Sequence, residues 1–299
     1  MLFETAVKNV LLAAPLLFSW GVFVTPLSIH ISNRYRIVDV PGERKIHSVI
    51  TPRGAGIVLW LGFLLWTLFG LYEVQGIRGI ATGVTIVFLT GYWDDMKTLN
   101  PVFRFFAHIA AAGIFLVPLS LPPAHFLLFL LWITGMTNAY NLIDGANGLC
   151  LLMFITASLC ASFFGNASLF FPAASMAAGV LYWNFPDAKT FLGDGGTTLL
   201  GYLYSSFLVL TLTPSLSDFT LPELPFLLLL AGGVPVLDTL FAIMRRLWRE
   251  KSPFLPDRGH IHHRLLDLGL PAVYAVLTLT VFQALIVGFG IYLLNYHVS

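Results

Sequence analysis

The sequence predicts an all-helical, polytopic membrane protein of about ten transmembrane helices, with both termini outside and its polar sites on the cytoplasmic face. Three observations carry that expectation. The 299 residues are 57% hydrophobic and 10% charged, with a mean hydropathy of +0.83, which is membrane-protein composition. Ten apolar stretches reach roughly the 20 residues a helix needs to cross a bilayer. The basic residues fall almost entirely on alternate loops.

In order, the stretches cover residues 9–31, 54–75, 76–92, 104–121, 123–140, 146–165, 167–184, 196–214, 222–243 and 272–296. The first is too long for a secretory leader, carries Pro15 and Trp20, and lacks a small-residue cleavage site, so it reads as a span. The sixth holds Cys150 and Cys160. Ten residues of helix rise about 15 Å, too far for a disulfide, so both read as packing residues. The ninth contains Asp238 near one end. An acid inside a span is a functional candidate, and pairing with Arg245 or Arg246, one to two turns on, is an equally good structural account. No repeat, low-complexity tract or linker divides the chain, which predicts one membrane domain over residues 1–299.

The loops after odd-numbered spans hold 14 of the 16 lysines and arginines, leaving Lys8 and Arg78 for the other side. The positive-inside rule then places those loops in the cytoplasm, and the asymmetry supports the count of ten. The net charge of +1 gives no sign of a nucleic-acid partner.

Each of these loops carries polar residues that membrane packing does not require. The first, Val38 to Gly56, gathers Arg44, Lys45, His47 and Arg53 beside Pro52, Gly54 and Gly56; it reads either as a cationic anchor or as a lip for phosphates. The second presents Asp94 and Asp95 at the end of an apolar span. Adjacent acids repel unless a cation or positive loop neutralises them, and a hard divalent ion with retained waters suits them; alternatively one acts as a general base. In the third, Asn138, Asn141 and Asp144 recur every three residues, which in a helix places them on one face for hydrogen bonding to a polar ligand. Gly145 and Gly148 follow them.

In the fourth loop, Gly193-Asp194-Gly195-Gly196 presents one carboxylate on a turn, with Thr197 and Thr198 at the following helix start. That pattern suits a metal ion beside phosphates at a helix N-terminus, and equally an ordinary cap. The last loop carries His260, His262 and His263 within four residues, flanked by Arg258 and Arg264. With no cysteine nearby, zinc fits less well than a pyrophosphate. His30, His108, His125 and His297 stand alone and read as structural or interfacial.

In this order, RKIHSVITPRGAG, GYWDDMKTLNP, NAYNLIDGANGL, FLGDGGTTLLG and PDRGHIHHRL resemble the motifs of the polyprenyl-phosphate N-acetylhexosamine-1-phosphate transferases (glycosyltransferase family 4). That superfamily includes the undecaprenyl-phosphate GlcNAc-1-phosphate transferases and the phospho-MurNAc-pentapeptide translocases. The resemblance runs from about residue 39 to 265. It implies a bacterial inner-membrane enzyme that converts a UDP-HexNAc and undecaprenyl phosphate into undecaprenyl-pyrophosphoryl-HexNAc and UMP, with Mg2+, or Mn2+ in its place.

By motif, the resemblance makes Asp194 the main metal ligand and sets Asp94 and Asp95 where the lipid phosphate enters, as further ligands, one of them taking its proton. Asn138, Asn141 and Asp144 would line the nucleotide site, with Asn184 near it and Phe191 stacking on uracil. His260, His262, His263, Arg258 and Arg264 would contact the sugar-phosphate side, and Lys45 and His47 the lip. Phosphate attack on phosphate is governed by charge neutralisation and in-line positioning, so no protein nucleophile is required; an aspartyl-phosphate route stays open.

The closing His-Ile-His-His after Pro-Asp-Arg resembles the GlcNAc-1-phosphate branch. Gly-Asp-Gly-Gly-Thr replaces the more usual Gly-Asp-x-Gly-Ser, and Asn147 stands where an acid is frequent. These departures leave open a sugar other than GlcNAc, such as GalNAc or a 6-deoxy-HexNAc, for O-antigen or another surface glycan. A homodimer is compatible with the sequence, though no span reads as its interface. The competing reading is an ion-coupled secondary transporter, which places its polar groups near the bilayer midplane in related halves; here they hug one face and no repeat is evident.

Overall fold

The computed structural model describes residues 2–40, 49–70, 74–248 and 259–298. Lys45, His47 and Arg258 lie outside the described residues. Each apolar stretch contains a helix: α1 (Leu2–Arg34), α2 (Ala55–Phe69), α3 (Ile77–Met96), α4 (Pro101–Leu116), α5 (Pro123–Ile143), α6 (Leu149–Ala161), α7 (Ala167–Leu181), α8 (Gly193–Leu212), α9 (Glu223–Trp248) and, after a short α10 (Ile261–Asp267), α11 (Ala272–Val298). The chain is an all-α polytopic membrane protein.

Six of these helices, α1, α4, α5, α8, α9 and α11, are long and apolar enough to cross a membrane. The apolar helices α2, α6 and α7 have only 15, 13 and 15 residues, or about 20–22 Å of rise against a hydrocarbon core of ~30 Å. Their apolar runs continue into turns: 162–165, after α6, form no helix. α3 has 20 residues but is less apolar, because it holds Arg78, Asp94 and Asp95.

α8 is the hub. It packs against α2, α3 and α5, and 72% of its apolar window is enclosed, against 28% for α1 and α4. Glycines allow that closeness: a Cβ on Gly56 of α2 would lie 2.7 Å from the Gly196 nitrogen, and one on Gly91 of α3 would lie 2.6 Å from the Asp194 carbonyl. Away from the polar end, buried tyrosines bridge the helices. The hydroxyls of Tyr202 and Tyr204 donate to the carbonyls of Ala111 (2.9 Å) and Ala231 (2.8 Å).

Two features lock the polar end. The strands β1 (Val38–Asp39) and β2 (Thr51–Pro52) pair antiparallel, with Val38 opposite Pro52, and Arg53 then bridges in parallel to Phe191. This ties the α1–α2 connection to the start of α8. α9 is broken at Gly233 (φ 63°, ψ −144°), just before Pro235. The break orphans the Val234 N–H, and Gln283 of α11 accepts it at 2.7 Å. An unpaired amide there would be costly in an apolar interior. The second half of α9, carrying Asp238, is thereby set on its own course. Cys150 and Cys160 are free thiols.

Candidate functional site

The helices run so that the ends of α3 and α5 and the starts of α2, α4 and α8 meet at one end of the bundle. The predicted residues Asp94, Asp95, Asn141, Asp144 and Asp194 come together there. Asp94 and Asp95 occupy the last turn of α3. Arg104, at the start of α4, donates to Asp94 and lies 3.0 Å from Asp194 Oδ2, so one guanidinium bridges two carboxylates. The Leu99 N–H also donates to Asp94. On the other side, Arg53 donates to Asp95 at 2.8 Å and to Asp39 at 2.7 Å. The Gly195 N–H reaches Asp95 at 3.4 Å.

Asp194 stands in the first turn of α8, where the helix dipole favours negative charge. The Asn141 side-chain amide donates to its Oδ2 at 3.4 Å, and the Thr197 hydroxyl donates to Asn141 Oδ1 at 2.7 Å. The hydroxyls of Thr197 and Thr198 also donate to the Asp194 main-chain carbonyl, at 3.1 and 2.6 Å. The helix start is therefore held by its backbone, leaving the carboxylate for the site.

Asp144 lies just past α5, at φ −73°, ψ 65°, so the three-residue spacing holds for Asn138 and Asn141 but not for a helical Asp144. It is open to solvent at the edge of the cluster, with protein atoms packed densely around it. That enclosure, then the charges of Asp194 and Asp95, push its carboxyl up to about 7. An unfolded aspartate ionises near 3.8, so as pH rises from there the folded state is increasingly penalised, until about 7, where the folded group ionises too. Asp144→Asn removes that penalty. With a chelator present, its thermal midpoint is expected to exceed that of the unmodified protein at about pH 8 and to match it below about pH 4, as measured by thermal unfolding across that range.

The histidine motif forms α10 and its cap. His260 Nδ1 lies 2.7 Å from Asp238 Oδ2, and the Ile261 N–H donates to Asp238 Oδ1 at 2.9 Å. The structure thus pairs Asp238 with a histidine of the last loop, where the sequence left open a functional acid or an ion pair with Arg245 or Arg246. His262 is buried against Gly145, beside Asp144. Burial, then the neighbouring His263 and His260, lower its pKa to about 4, so it is neutral at physiological pH. His263 packs on His262 with ring centroids 4.2 Å apart. Arg264 donates to the Gly259 carbonyl.

The Glycosyl transferase family 4 model matches residues 77–212, which contain Asp94, Asp95, Asn141, Asp144 and Asp194. The probable undecaprenyl-phosphate N-acetylglucosaminyl 1-phosphate transferase of Bacillus subtilis is 33% identical over 281 residues, covering 86% of this chain and 77% of that one. The undecaprenyl-phosphate alpha-N-acetylglucosaminyl 1-phosphate transferase of Thermotoga maritima is 30% identical, covering 81% and 77%. Its namesake from Salmonella typhimurium is 27% identical, covering 85% and 76%. The chain belongs to the polyprenyl-phosphate N-acetylhexosamine-1-phosphate transferase superfamily.

As a member of that superfamily, the chain uses several motif residues as scaffold. Asn184, expected near the nucleotide, is buried, and both ends of its amide are engaged: Oδ1 accepts from the Gly148 N–H at 2.7 Å and Nδ2 donates to the Thr190 carbonyl at 2.6 Å. In this structure it is a strut between two loops. Asn138 donates to the Thr134 carbonyl within its own helix. Phe191 exchanges main-chain hydrogen bonds with Pro52, Gly54 and Ala55, while its ring is half-buried.

Both departures from the common motifs are accommodated. Thr197 presents to Asn141 the hydroxyl a serine would, and Asn147 donates to the Pro186 carbonyl at 2.9 Å, which an ionised acid could not do. Arg104 and Arg53 are the central cations of the site. Arg104 stands outside the polar motifs of the sequence, and its place one turn into the helix after Asp94-Asp95 is the signal that marks it.

Among the described residues, no three His, Cys, Asp or Glu side chains form a ready-made metal shell. The chemistry still suits magnesium, which keeps most of its waters and takes one or two protein carboxylates plus substrate phosphates. Among the described residues, Asp94, Asp95, Asp144 and Asp194 face the guanidiniums of Arg53 and Arg104, leaving an excess of negative charge. Asp194 and Asp144 are the more open carboxylates; those of Asp94 and Asp95 are each held by an arginine.

Proposed function

We propose that this protein transfers HexNAc-1-phosphate from a UDP-HexNAc to undecaprenyl phosphate at the cytoplasmic face of a bacterial inner membrane. The products are undecaprenyl-pyrophosphoryl-HexNAc and UMP, the first step of a surface polysaccharide such as O-antigen. The observation that carries this reading is the carboxylate–guanidinium cluster at one end of a membrane bundle, beside an apolar groove of about 290 Å³ between α5 and α9. Leu128, Leu131, Trp132, Met136 and Leu240 line the groove, which reaches Ala139 and Thr239, next in sequence to Asn138 and Asp238. A prenyl chain suits the groove, and its phosphate suits the cluster.

In the reaction, an oxygen of the lipid phosphate attacks the β-phosphorus of the donor, and the bond to the α-phosphate breaks to release UMP. A phosphomonoester loses its second proton near pH 6, so the nucleophile is largely a dianion at neutral pH and needs little help from a base. Arg104 and Arg53 receive its charge, and Asp94 and Asp95 hold those guanidiniums in place. Magnesium, carried chiefly by Asp194 with Asp144 close by, would neutralise the donor pyrophosphate. Asn141, fixed by Thr197, orients Asp194, and the neutral His262 offers a hydrogen bond to the sugar-phosphate side.

The test uses purified protein in detergent with magnesium, undecaprenyl phosphate and a panel of UDP-HexNAc donors, following UMP and the lipid-linked product. Turnover with one donor, lost on chelation, is the expected result and names the sugar. UMP release from no donor by folded protein would overturn the reading, and turnover in the presence of a chelator would remove the metal from it.

A further inference from the structure

We propose that Asp238 is a positioning residue for donor binding: through His260 and the start of α10 it seats His262 against Gly145, at the rim of the carboxylate cluster. This rests on the transfer reaction above.

Asp238 is only 1% exposed and commits both oxygens to one short segment, accepting from the Ile261 N–H and meeting His260 Nδ1. The Ile261 amide is one of the orphan donors of the first turn of α10. A single carboxylate on another helix therefore caps α10 and fixes the ring that precedes it. A carboxylate only accepts, so His260 presents Nδ1–H to it. His260 and His262 lie nearly parallel, 10° apart with centroids at 5.9 Å.

His262 is 2% exposed, and neither ring nitrogen has a hydrogen-bond partner among the described residues. Buried imidazoles normally find partners, so this one keeps an unused donor and acceptor beside Gly145. Its Nε2 lies 2.0 Å from where a Cβ on Gly145 would be. Glycine at 145 leaves room for the His262 ring, the carboxylate at 238 holds the His260 ring and the start of α10 that carries it, and the residue before Gly145 is Asp144.

The experiment measures donor and acceptor KM and kcat for the unmodified protein and for Asp238→Asn, Asp238→Ala, His260→Ala, the double variant and Gly145→Ala, with thermal midpoints alongside. Asp238→Asn is nearly isosteric and keeps an oxygen for Ile261, but toward His260 it offers an N–H donor in place of an acceptor, which breaks the Nδ1–H contact or forces the ring into the other tautomer. Its kcat/KM for the donor is expected to fall about 30-fold, the scale on which losing an outer-shell partner of a metal-bound histidine acts, applied here to a positioned one. The acceptor KM should stay within about twofold, and the midpoint within a few degrees. Asp238→Ala combined with His260→Ala should lose no more than either alone, because the two act as one unit. Gly145→Ala should reproduce the donor-selective loss.

Donor kcat/KM within threefold of the unmodified protein in Asp238→Asn would overturn the proposal. So would losses that multiply in the double variant, or equal effects on donor and acceptor. If Asp238→Ala does not fold, Asp238→Asn and Gly145→Ala decide. An unmodified protein that transfers nothing would remove the transfer reading, and this proposal with it; an active one with indifferent variants would remove only the proposal.

Discussion

Asp194→Asn is expected to lower transfer by at least about 10³-fold, the scale seen when a charge-stabilising group is deleted from a transition-state site, while thermal stability is kept or slightly raised. The two outcomes separate because the contacts of Asp194 divide. Its backbone holds the start of α8 through the hydroxyls of Thr197 and Thr198, and those hydrogen bonds survive the substitution. Among the described residues its side chain meets Arg104, Asn141 and the carboxyl of Asp94, and it shares its surroundings with Asp95 and Asp144. Removing one of several like charges relieves repulsion in the folded state. Removing this one leaves the donor pyrophosphate and its counter-ion without their main anchor. UMP release and a thermal melt on the same preparation measure both effects. A variant keeping a tenth or more of the turnover would move the essential charge to Asp144 or Asp95.

The helices were legible because length and hydropathy are local properties: all ten apolar stretches contain one. Their ends were less so. An apolar run such as 146–165 continues past the helix it contains, Leu149–Ala161, because Gly148 starts it and Phe163 and Phe164 lie in the following turn. The acids of the site were legible because carboxylates in an apolar chain need a reason. Their partners were not. Arg104 pairs with residues 10 and 90 positions away, and Asp238 with one 22 positions on across a loop. Nearby arginines in sequence made the local pairing look sufficient.

Asn184 shows the opposite limit. Its side chain spans two backbones, and a motif cannot tell a residue that touches substrate from one that holds the loops that do. The break in α9 was written in Gly232-Gly233-Val234-Pro235, yet its cap, Gln283, comes 49 residues later.

Gly91→Ala is expected to reduce kcat by about 10²-fold, since a displacement near 1 Å at a reacting centre costs about that much, and to lower the thermal midpoint. Helix propensity argues the other way, because Ala is favoured over Gly inside a helix by up to about 1 kcal/mol. Sterics decide it. The new Cβ would lie 2.6 Å from the carbonyl carbon and oxygen of Asp194 and from the Gly195 nitrogen. These are backbone atoms of the most enclosed helix and cannot turn aside as a side chain would. α3 must back away from α8 by about 1 Å to reach ordinary contact, and such overpacking typically destabilises by about 1–3 kcal/mol.

Asp95 lies one turn beyond Gly91, and its 3.4 Å contact with the Gly195 N–H crosses that same seam. Separating the helices therefore moves Asp95 and Asp194 apart, although neither residue has been changed. Gly113→Ala is the control. A Cβ there meets nothing within 4 Å, so the propensity gain stands alone and activity should not change. Full turnover in Gly91→Ala, with the seam shown to have opened, would mean that catalysis tolerates that separation, and Asp95 would leave the set of groups that must act together with Asp194.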